Sequence, residues 1–456
     1  NYYYVDINGV MASNQWVAID NEDAGEDDEP DHYWYYFQAN GKALTNGTND
    51  KVSLKTVNGK KYAFDDEGRM LYGWVAEDNA ERVDNTDGDG FKEGIYYFGG
   101  EDDGAMTVGW LQMDITYDEA TDDAYKEIAP VFTDDEDQSR WFYFKSNGKK
   151  VKAEAGDYQK SKTINGLKYA FNEYGKMVSE WAMPKATADQ ASISSYHYFN
   201  LSDQGWRAKG WFNVVPEEDV NESAYNDDSA KWFYAESDGD LVKSEIKTIS
   251  SKKYAFNNKG EMLSGVQALA MSSSSKIVGN KAIDDADLVD ALKAGTLSFE
   301  GYNGNTYTIG SDVYVYYFGA GSDGAMKIGN QNVDVDGDTY AFSFGKTGSN
   351  KGRGLSEADD VLYVNGLRIK ADSDMRYQAF KNGTAVEDPT TIIDDQNAYL
   401  VNTSGSIMKN KKNLKDTDDG YYCTDSKGHV TGYSETKCGT KKDDGTVYTC
   451  SNPKHK

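Results

Sequence analysis

Residues that usually catalyse reactions or hold metals are scarce in this chain. Its 456 residues include only 4 histidines and 3 cysteines. The histidines are scattered, and Cys423, Cys438 and Cys450 contain no Cys-x-x-Cys pair, so no metal cluster is expected. No Gly-x-Ser-x-Gly elbow, His-Glu-x-x-His motif or phosphate-binding loop is present either. The sequence therefore predicts a protein that is not an enzyme and that carries no cofactor and no metal.

Long apolar runs and basic charge are also missing. No run of about 18 apolar residues is present, so no membrane span is expected. Lys and Arg number 48 against 76 Asp and Glu, a net charge of −28. Nucleic acid is excluded as a partner, because neutralising phosphates requires clustered basic residues. Cationic groups, calcium or neutral sugars suit the charge better, although acidic surface also simply keeps an exported protein soluble.

Aliphatic side chains are few, whereas aromatic ones are abundant. Hydrophobic residues make up 38% of the chain and aromatic residues 13%, with 34 Tyr and 9 Trp. The chain is also longer than the roughly 250–300 residues at which one hydrophobic core stops growing. A single large core is therefore not expected. A repeat protein avoids the problem, because each repeat packs only on its neighbours.

One stretch recurs three times without a gap. Thr56–Trp74 is repeated at Thr163–Trp181 and Thr248–Val266, each time as Lys-Tyr-Ala-Phe, a turn glycine and a methionine. A period of two places the Tyr and the Phe on one face of a strand, and the glycine permits a tight turn. The stretch predicts a β-hairpin. A lone hairpin is marginal in water, so neighbouring hairpins have to cover its aromatic face.

Two further hairpin types alternate with this one and define a larger repeat. Blocks of three hairpins end at Trp16, Trp110, Trp211 and Asn330, at spacings of 94, 101 and 119 (110−16, 211−110, 330−211). We predict an all-β solenoid of about fourteen stacked hairpins. The predicted divisions are residues 1–16 (end of a truncated repeat), 17–110, 111–211 and 212–330 (three-hairpin blocks), and 331–456 (divergent hairpins containing the cysteines). The chain opens inside a repeat, so we expect its natural start to be missing, and what precedes Asn1 is left open.

The spacing grows because of acidic, serine- and asparagine-rich insertions. We expect them to be surface loops, at Ala76–Gly94, Leu111–Arg140, Ala182–Ser195, Phe212–Lys231 and Gln267–Tyr314. The last of them contains the one predicted helix, about Asp284 to Ala294, with Gly295 as a stop signal.

Two acidic stretches and the three cysteines leave alternatives open. Asn85–Gly90 and Asp334–Asp338 place oxygen donors at alternate positions, but both are incomplete as calcium loops, so we expect turns. Calcium binding itself is left open. One disulfide among the three cysteines suits an exported chain, and the spacing does not say which pair forms.

The order of aromatic triplet, turn glycine, methionine and Gly-Trp, as in Tyr96 to Trp110, resembles a known family. It is similar to the cell-wall-binding repeats of Gram-positive surface proteins, the choline-binding repeats among them. It also resembles the glucan-binding repeats of glucosyltransferases and the repeats of large clostridial toxins. The resemblance covers nearly the whole chain, most clearly Tyr2–Asn330. It implies an exported, non-enzymatic β-hairpin solenoid that is held at the cell surface by a wall polymer, through teichoic acid choline or a polysaccharide.

The resemblance also implies where a ligand would bind. In choline-binding members the trimethylammonium group lies in an aromatic cage between consecutive hairpins, held by cation–π attraction. Carried over residue by residue, the best pairs are Trp16 with Trp34, Trp110 with Trp141, and Trp211 with Trp232. Poorer pairs are Trp74 with Tyr96, and Trp181 with Tyr196 or His197, because the intervening hairpins open with Lys61, Lys168 or Lys253, which would repel a quaternary amine.

Other interpretations of the same tryptophans stay open. They could simply seal hairpin against hairpin, as in a ligand-free spacer, or stack on sugar rings in an adhesin or toxin-like lectin that contacts host or dietary glycan. No tryptophan follows Trp232, so we predict that any binding lies within Tyr2–Trp232. The ligand, the number of working sites and the oligomeric state are not fixed by the sequence.

Overall fold

Nearly all regular structure in the chain is β. The computed structural model describes residues 1–26, 29–85, 89–115, 138–157, 159–185 and 188–449. The strands in chain order are β1 (Gln15–Asp20), β2 (His32–Phe37), β3 (Lys55–Val57), β4 (Lys60–Tyr62), β5 (Trp74–Val75), β6 (Tyr96–Tyr97), β7 (Gly109–Ile115), β8 (Gln138–Phe144), β9 (Lys160–Ile164), β10 (Leu167–Phe171), β11 (Trp181–Ala182), β12 (His197–Tyr198), β13 (Gly210–Val214), β14 (Lys231–Ala235), β15 (Glu245–Ile249), β16 (Lys252–Phe256), β17 (Val266–Met271), β18 (Ile277–Ala282), β19 (Ser298–Glu300), β20 (Thr306–Thr308), β21 (Val313–Tyr317), β22 (Gly329–Val335), β23 (Asp338–Phe344), β24 (Glu357–Ala358), β25 (Val361–Val364), β26 (Leu367–Arg368), β27 (Tyr377–Lys381), β28 (Thr384–Ala385), β29 (Ala398–Asn402), β30 (Leu414–Lys415), β31 (Tyr421–Thr424) and β32 (Val430–Ser434).

Helices are few and short. The α-helices of the described residues are α1 (Asp89–Glu93), α2 (Glu222–Asn226) and α3 (Ala286–Ala294), and 3-10 turns occur at Ile193–Ser195, Gly348–Asn350 and Pro389–Ile392. Within the described ranges, no helix has the length and apolar character needed to cross a membrane. The predicted all-β class is confirmed.

The chain divides into two units by its internal contacts. Unit 1 comprises Asn1–Gly210 with Ser237–Asp240, and unit 2 comprises Trp211–Glu236 with Leu241–Lys456. The sheets of unit 1 are two-stranded, whereas unit 2 also holds three-stranded sheets and a five-stranded sheet of order β22-β23-β26-β25-β24. The finer division into three-hairpin blocks stays a prediction.

The two longest ladders among the described strands of unit 1 join the strands of Trp16 and Trp110 to the aromatic runs that follow them. Strand β7 pairs with β8 so that Trp110 lies opposite Tyr143, and β1 pairs with β2 so that Trp16 lies opposite Tyr36. By contrast, the segment that was predicted to return as a strand after the turn pairs with its aromatic run through a single bridge, as between Phe37 and Ala43. The predicted pairing was therefore incomplete, because the main partner strand comes from the preceding repeat.

Backbone hydrogen bonds connect consecutive hairpins within each unit. The N–H two residues after a turn glycine donates to the carbonyl of the residue that opens the preceding aromatic run. The bonds of this kind are Ala43 to Tyr2, Met70 to Trp34, Met106 to Lys61, Lys150 to Ile95, Met177 to Trp141 and Arg207 to Lys168 in unit 1, and Met262 to Trp232 and Met326 to Lys253 in unit 2, at 2.7–2.9 Å. Backbone groups that a lone hairpin would leave unpaired are thereby satisfied. Serial contact of this kind supports stacking, while the solenoid and its repeat count stay predictions.

The side chain at the same position covers the turn glycine of the next hairpin. Met70 lies on Gly104, where an added Cβ would approach the Met70 Cγ to 2.8 Å and where φ is +58°. Glycine is needed there both for the positive φ and for the close approach. A flexible methionine fills such an irregular gap well. The interlock explains why glycine and methionine recur together in the sequence.

The recurring unit also contains a tight turn that the sequence reading passed over. Strands β3 and β4 are joined by Asn58 and Gly59, with φ of 48° and 83°. Positive φ at both central residues is the type I′ geometry that Asn-Gly favours in two-residue hairpins. The same turn recurs at Asn165-Gly166 and at Ser250-Ser251. The Lys-Tyr-Ala-Phe strand therefore also forms a hairpin with the strand that precedes it.

The prediction that Gln267–Tyr314 is a surface loop was wrong. Strand β17 is buried along its whole length and forms the centre of a three-stranded sheet with β18 and β21. Helix α3 starts at Ala286, after Asp285 caps it by accepting a 2.7 Å hydrogen bond from the Leu288 N–H, and ends before Gly295 at φ 72°. Its Leu292 is fully buried in the core. The acidic and serine-rich ends of the segment hid the apolar strands between them.

The expectation of a single helix was also wrong. Helices α1 and α2 have five residues each, too short to produce a 3.6-residue periodicity that could be recognised in the sequence. They lie in two of the predicted loop insertions. Helix α1 nevertheless buries Phe91, which is 2% exposed.

The structure answers part of what the sequence left open about the acidic stretches and the cysteines. Asp336 and Gly337 form a two-residue turn between β22 and β23, and residues 86–88 of the other acidic stretch lie outside the described residues. Cys423 and Cys438 are both disulfide-bonded. Cys450 also lies outside the described part of the chain.

Candidate aromatic ligand-binding sites

Trp110 stands at the centre of a cluster of rings from three strands. Its ring centroid lies 5.1 Å from Tyr143, 4.9 Å from Tyr169, 5.9 Å from Phe171 and 6.0 Å from Trp141. Phe171 is fully buried, while the other four rings are half-buried. The cluster therefore has a sealed floor and partly accessible aromatic walls.

The same cluster occurs twice more in the chain. We name each after its central tryptophan: the Trp110 junction has the rings above, the Trp16 junction has Trp34, Tyr36, Tyr62 and Phe64, and the Trp211 junction has Trp232, Tyr234, Tyr254 and Phe256. The central tryptophan lies 5.2 Å from the first-strand tyrosine in both of the latter, and 4.9 and 4.8 Å from the second. Three copies of one geometry indicate that the repeat itself builds the site.

Strand register explains why these rings meet. In the β7–β8 ladder Trp110 is opposite Tyr143 and Gln112 is opposite Trp141. Tyr143 and Trp141 are two residues apart and share one face of β8, so both can reach the Trp110 ring. Tyr169 comes from β10 in the following hairpin. The long connection between Trp110 and Trp141, which could have displaced a wall, instead lengthens the ladder and leaves the two rings in contact.

The structure places the predicted pairs at all three junctions. Trp211 and Trp232 lie 6.3 Å apart at 81°, close to the arrangement of Trp110 and Trp141 at 88°. Trp16 and Trp34 belong to one cluster. The role of these clusters as binding sites stays a prediction.

An exposed carboxylate lies beside the Trp16 junction. The Asp102 Oδ1 accepts a 2.9 Å hydrogen bond from the Trp34 Nε1 and lies 3.0 Å from the His32 Nε2. The hydrogen bond from Trp34, followed by the contact with His32, lowers the pKa of Asp102 below its ordinary value. Asp102 is therefore ionised at neutral pH and provides a negative charge close to an aromatic wall.

The poorer predicted pairs are arranged differently. Trp74 is 2% exposed, and its ring partner is Tyr97 at 5.1 Å rather than Tyr96. Tyr96 is buried in a neighbouring cluster, where it packs near Phe98. Burial therefore removes both Trp74 and Tyr96 from contact with an external ligand.

Trp181 remains partly accessible. It is half-buried and lies 6.4 Å from the buried Tyr196 and 5.0 Å from Tyr198. His197 lies beside Tyr198 in β12, and its Nε2 lies 3.1 Å from the Asp240 Oδ1. Trp181 is therefore a weaker candidate than the three junction tryptophans.

The sequence reading missed one wall of each junction. Tyr62, Tyr169 and Tyr254, the central residues of Lys-Tyr-Ala-Phe, contact the junction tryptophans more closely than any other ring. Their recurrence was visible, but it was attributed to hairpin packing alone. The lysines beside them are exposed and, by strand alternation, point away from the tyrosine face, so they do not line the junction.

A second feature absent from the sequence reading is a groove in unit 2. A cavity of about 300 Å³ is lined by rings and by side-chain amides. The rings are Tyr363, Phe380 and Tyr399, and the amides include Asn365, Asn382 and Asn397. The lining comes from separate hairpins, so no local sequence pattern could reveal it. No cluster of metal-ligating side chains was found within the described ranges.

Comparisons with known proteins point to streptococcal proteins. No family profile matches the chain. Glucosyltransferase-S of Streptococcus mutans is 24% identical over 267 residues, 58% of this chain but 12% of that protein, so the chain corresponds to a small part of its relative. Among solved structures, choline binding protein F of Streptococcus pneumoniae is 19% identical with a TM-score of 0.37, covering 77% of this chain and 89% of that one. CbpJ of the same species is 18% identical with a TM-score of 0.34, covering 83% and 99%. The resemblance to the repeat family that the sequence indicated, glucosyltransferases among its members, is confirmed by the sequence match to Glucosyltransferase-S.

Proposed function

We propose that the chain is a non-enzymatic module that anchors an exported protein to the cell wall by binding cationic groups, such as choline, at the Trp16, Trp110 and Trp211 junctions. The observation that carries the proposal is the threefold recurrence of one half-exposed aromatic cluster. The closest ring distances in the three copies are 4.9, 4.9 and 4.8 Å. Both tryptophans of every junction remain half-buried rather than sealed, which supports a role beyond filling space.

The chemistry of the junctions suits a quaternary ammonium group. Each aromatic face that contacts the cation contributes about 0.5–2 kcal/mol, depending on how well water is excluded. A junction offers two tryptophans and two tyrosines above its buried phenylalanine. The chain's net charge of −28 also favours the approach of cations.

Three similar sites on one chain would reinforce one another on a polymer that repeats its ligand. Once one junction is occupied, the next binding event is intramolecular, and the overall affinity exceeds that of a single site by a large factor. Weak individual sites are therefore compatible with firm anchoring.

Export is part of the proposal and has its own support. Cys423 and Cys438 are disulfide-bonded, and such bonds persist mainly in oxidising, extracytoplasmic compartments.

A saccharide is the second candidate ligand. Aromatic faces stack on sugar rings as well as on cations, and the sequence similarity to a glucosyltransferase favours a glucan. In this version the same junction rings bind sugar, and the chain acts as a glycan-binding module, with the adhesin and lectin roles as its variants.

Calorimetric titration of the purified chain with choline, and in parallel with an α-glucan oligosaccharide, tests the proposal. We expect saturable choline binding. In Trp110→Ala the number of choline molecules bound per chain should fall by about one third, because one junction in three is removed. Trp206→Ala is the matched control, since Trp206 is a half-exposed tryptophan outside the three clusters. Saturation with the glucan alone would select the second candidate. Silence with both ligands, with the fold intact, would favour the spacer interpretation.

A further inference from the structure

Trp74 lies at a junction that is built like the other three, but its ring is buried. Its ring lies 5.1 Å from Tyr97, 5.5 Å from Phe142 and 5.9 Å from Phe144. The corresponding distances around Trp110 are 5.1, 4.9 and 5.9 Å. Phe91 of helix α1 adds a further ring at 5.7 Å. The chain therefore contains a fourth aromatic cage that is closed to solvent.

This junction differs from the others in the residue type at one position. The side chain two residues after the relevant turn glycine is Met70 at the Trp16 junction, Met177 at the Trp110 junction and Met262 at the Trp211 junction. At Trp74 the same position is Lys150. Its alkyl stem covers Gly175, as the methionines cover the glycines of their neighbours.

The Lys150 ammonium lies inside the cage. Its Nζ is 4.7 Å from the centroid of the Trp74 ring and donates a 2.6 Å hydrogen bond to the Phe91 carbonyl. Lys150 is 3% exposed, and no carboxylate of the described residues forms an ion pair with it. The Trp74 Nε1 is buried without a hydrogen-bond partner in the described part of the chain, so no hydrogen bond of the indole N–H holds the ring in place.

A buried lysine without a carboxylate is costly, because burial disfavours its charge. Desolvation, followed by repulsion from Lys152, lowers the pKa of Lys150 well below its ordinary value. The indole face and the Phe91 carbonyl are the two groups that offset this cost. An apolar residue would avoid it altogether, as the methionines of the other junctions do.

We propose that Lys150 is the built-in occupant of the Trp74 cage, taking the place that a ligand's ammonium group would fill at an open junction. The junction is therefore closed to external cations, and the chain's own cation ties the hairpin of Lys150 to the strand of Trp74. The ligand class of this cage is a primary alkylammonium. Its occupancy does not depend on what the other three junctions bind.

Chemical rescue of Lys150→Ala tests this directly. The substitution removes Cγ, Cδ, Cε and Nζ, which together have the shape of n-propylammonium. The melting temperature of Lys150→Ala should be below that of the wild type, and n-propylammonium chloride should raise it more than 1-propanol does at equal concentration, with ionic strength held constant by KCl. Equal rescue by the alcohol, or no rescue by the ammonium, would overturn the proposal.

Two further variants control the experiment. Met177→Ala opens the equivalent space at the Trp110 junction, where the side chain that is removed carries no charge, so propylammonium should not raise its melting temperature more than it raises that of the wild type. Lys150→Met should fold without amine and show no rescue, since methionine fills this position elsewhere.

A measurement on the wild-type chain covers the case in which Lys150→Ala does not fold. The Cε protons of Lys150 should resonate upfield of those of Lys149 in the NMR spectrum, because they lie over the indole ring. Coincidence of the two signals would contradict the cage. A failed choline titration would leave both of these results unaffected, so the two proposals fail separately.

Discussion

Trp110 and Asn330 occupy the same place in the repeat, yet the side chains that they contact differ. In one ladder Gly109 is opposite Phe144 and Trp110 opposite Tyr143, and in the other Gly329 is opposite Phe344 and Asn330 opposite Ser343. Trp110 packs against a ring at 5.1 Å. Asn330 instead accepts a 2.8 Å hydrogen bond from the Ser343 hydroxyl.

The two regions share a buried phenylalanine opposite the ladder glycine and differ at the next position. Phe144 and Phe344 are 1% and 0% exposed, so a fully buried phenylalanine is retained where the tryptophan is lost. Folding and ligand binding are thus separable in this repeat. The tryptophans are dispensable for the ladder, which supports a role beyond packing where they occur.

The largest expected effect should be the same in both regions. Phe144→Ala and Phe344→Ala each remove a fully buried ring, and each should lower the free energy of unfolding by about 3–5 kcal/mol. Denaturant unfolding monitored by circular dichroism measures both. A large loss in one variant and none in the other would break the comparison, because the buried phenylalanine would then not support both ladders equally.

The hydrogen bond at Asn330 gives the next largest effect. Asn330→Ala leaves the Ser343 hydroxyl, in a residue 2% exposed, without its partner, and should cost about 1–3 kcal/mol. The double variant Asn330→Ala with Ser343→Ala should recover most of that loss, since no buried polar group is left unpaired. Equal losses in the single and double variants would contradict this account.

A pH dependence distinguishes one copy of the recurring unit from the other two. Asp65 stands where the other copies carry Asn172 and Asn257, and all three accept a backbone hydrogen bond from the residue four positions later. Burial raises the pKa of Asp65 from 3.8 to about 6. The folded chain therefore binds this proton more tightly than the unfolded chain, and the free energy of unfolding falls as the pH rises from about 4 to about 6.

Asp65→Asn should remove that fall, with a difference of up to about 2 kcal/mol near neutral pH. Unfolding free energies at a series of pH values measure it, and Asp66→Asn, at an exposed neighbour, is the control. If the pH dependence survived in Asp65→Asn but vanished in Asp66→Asn, the assignment of the effect to Asp65 would be wrong.

The smallest effect concerns the charge beside one junction. Asp102→Asn keeps an oxygen that can accept from Trp34 but removes the negative charge, so choline affinity at the Trp16 junction should fall modestly. Because Asp102 is exposed, the difference should shrink as salt is added. Site-resolved NMR titration would report it, and an equal change at the Trp110 junction would rule out a local charge effect.

The sequence reveals the repeats because they depend on local chemistry. The turn glycines, the Lys-Tyr-Ala-Phe strands and the Gly-Trp ends all recur at fixed offsets, and each corresponds to a strand or turn in the structure. The three tryptophan pairs were predictable for the same reason. Asn58-Gly59 shows that a further local signal was present and was passed over.

The remaining features depend on contacts between distant segments. Strand β17 is buried between β18 and β21, whereas the acidic and serine-rich ends of its segment pointed to a loop. Helix α3 was predicted, because its capping and stop signals are local. No local pattern singles out Lys150, because only the fold brings Trp74 and Phe91 around its ammonium. Tyr169 becomes a wall of the Trp110 junction only through the stacking of one hairpin on the next.

A crystal structure of the chain with saturating choline would test the central claim most directly. We predict quaternary ammonium groups against Trp16, Trp110 and Trp211, with none at Trp74, where Lys150 fills the cage, and none at Asn330, where the rings are missing. Choline at none of the three junctions, or choline bound at Asn330 as well, would contradict the claim that the repeated aromatic clusters are the binding sites.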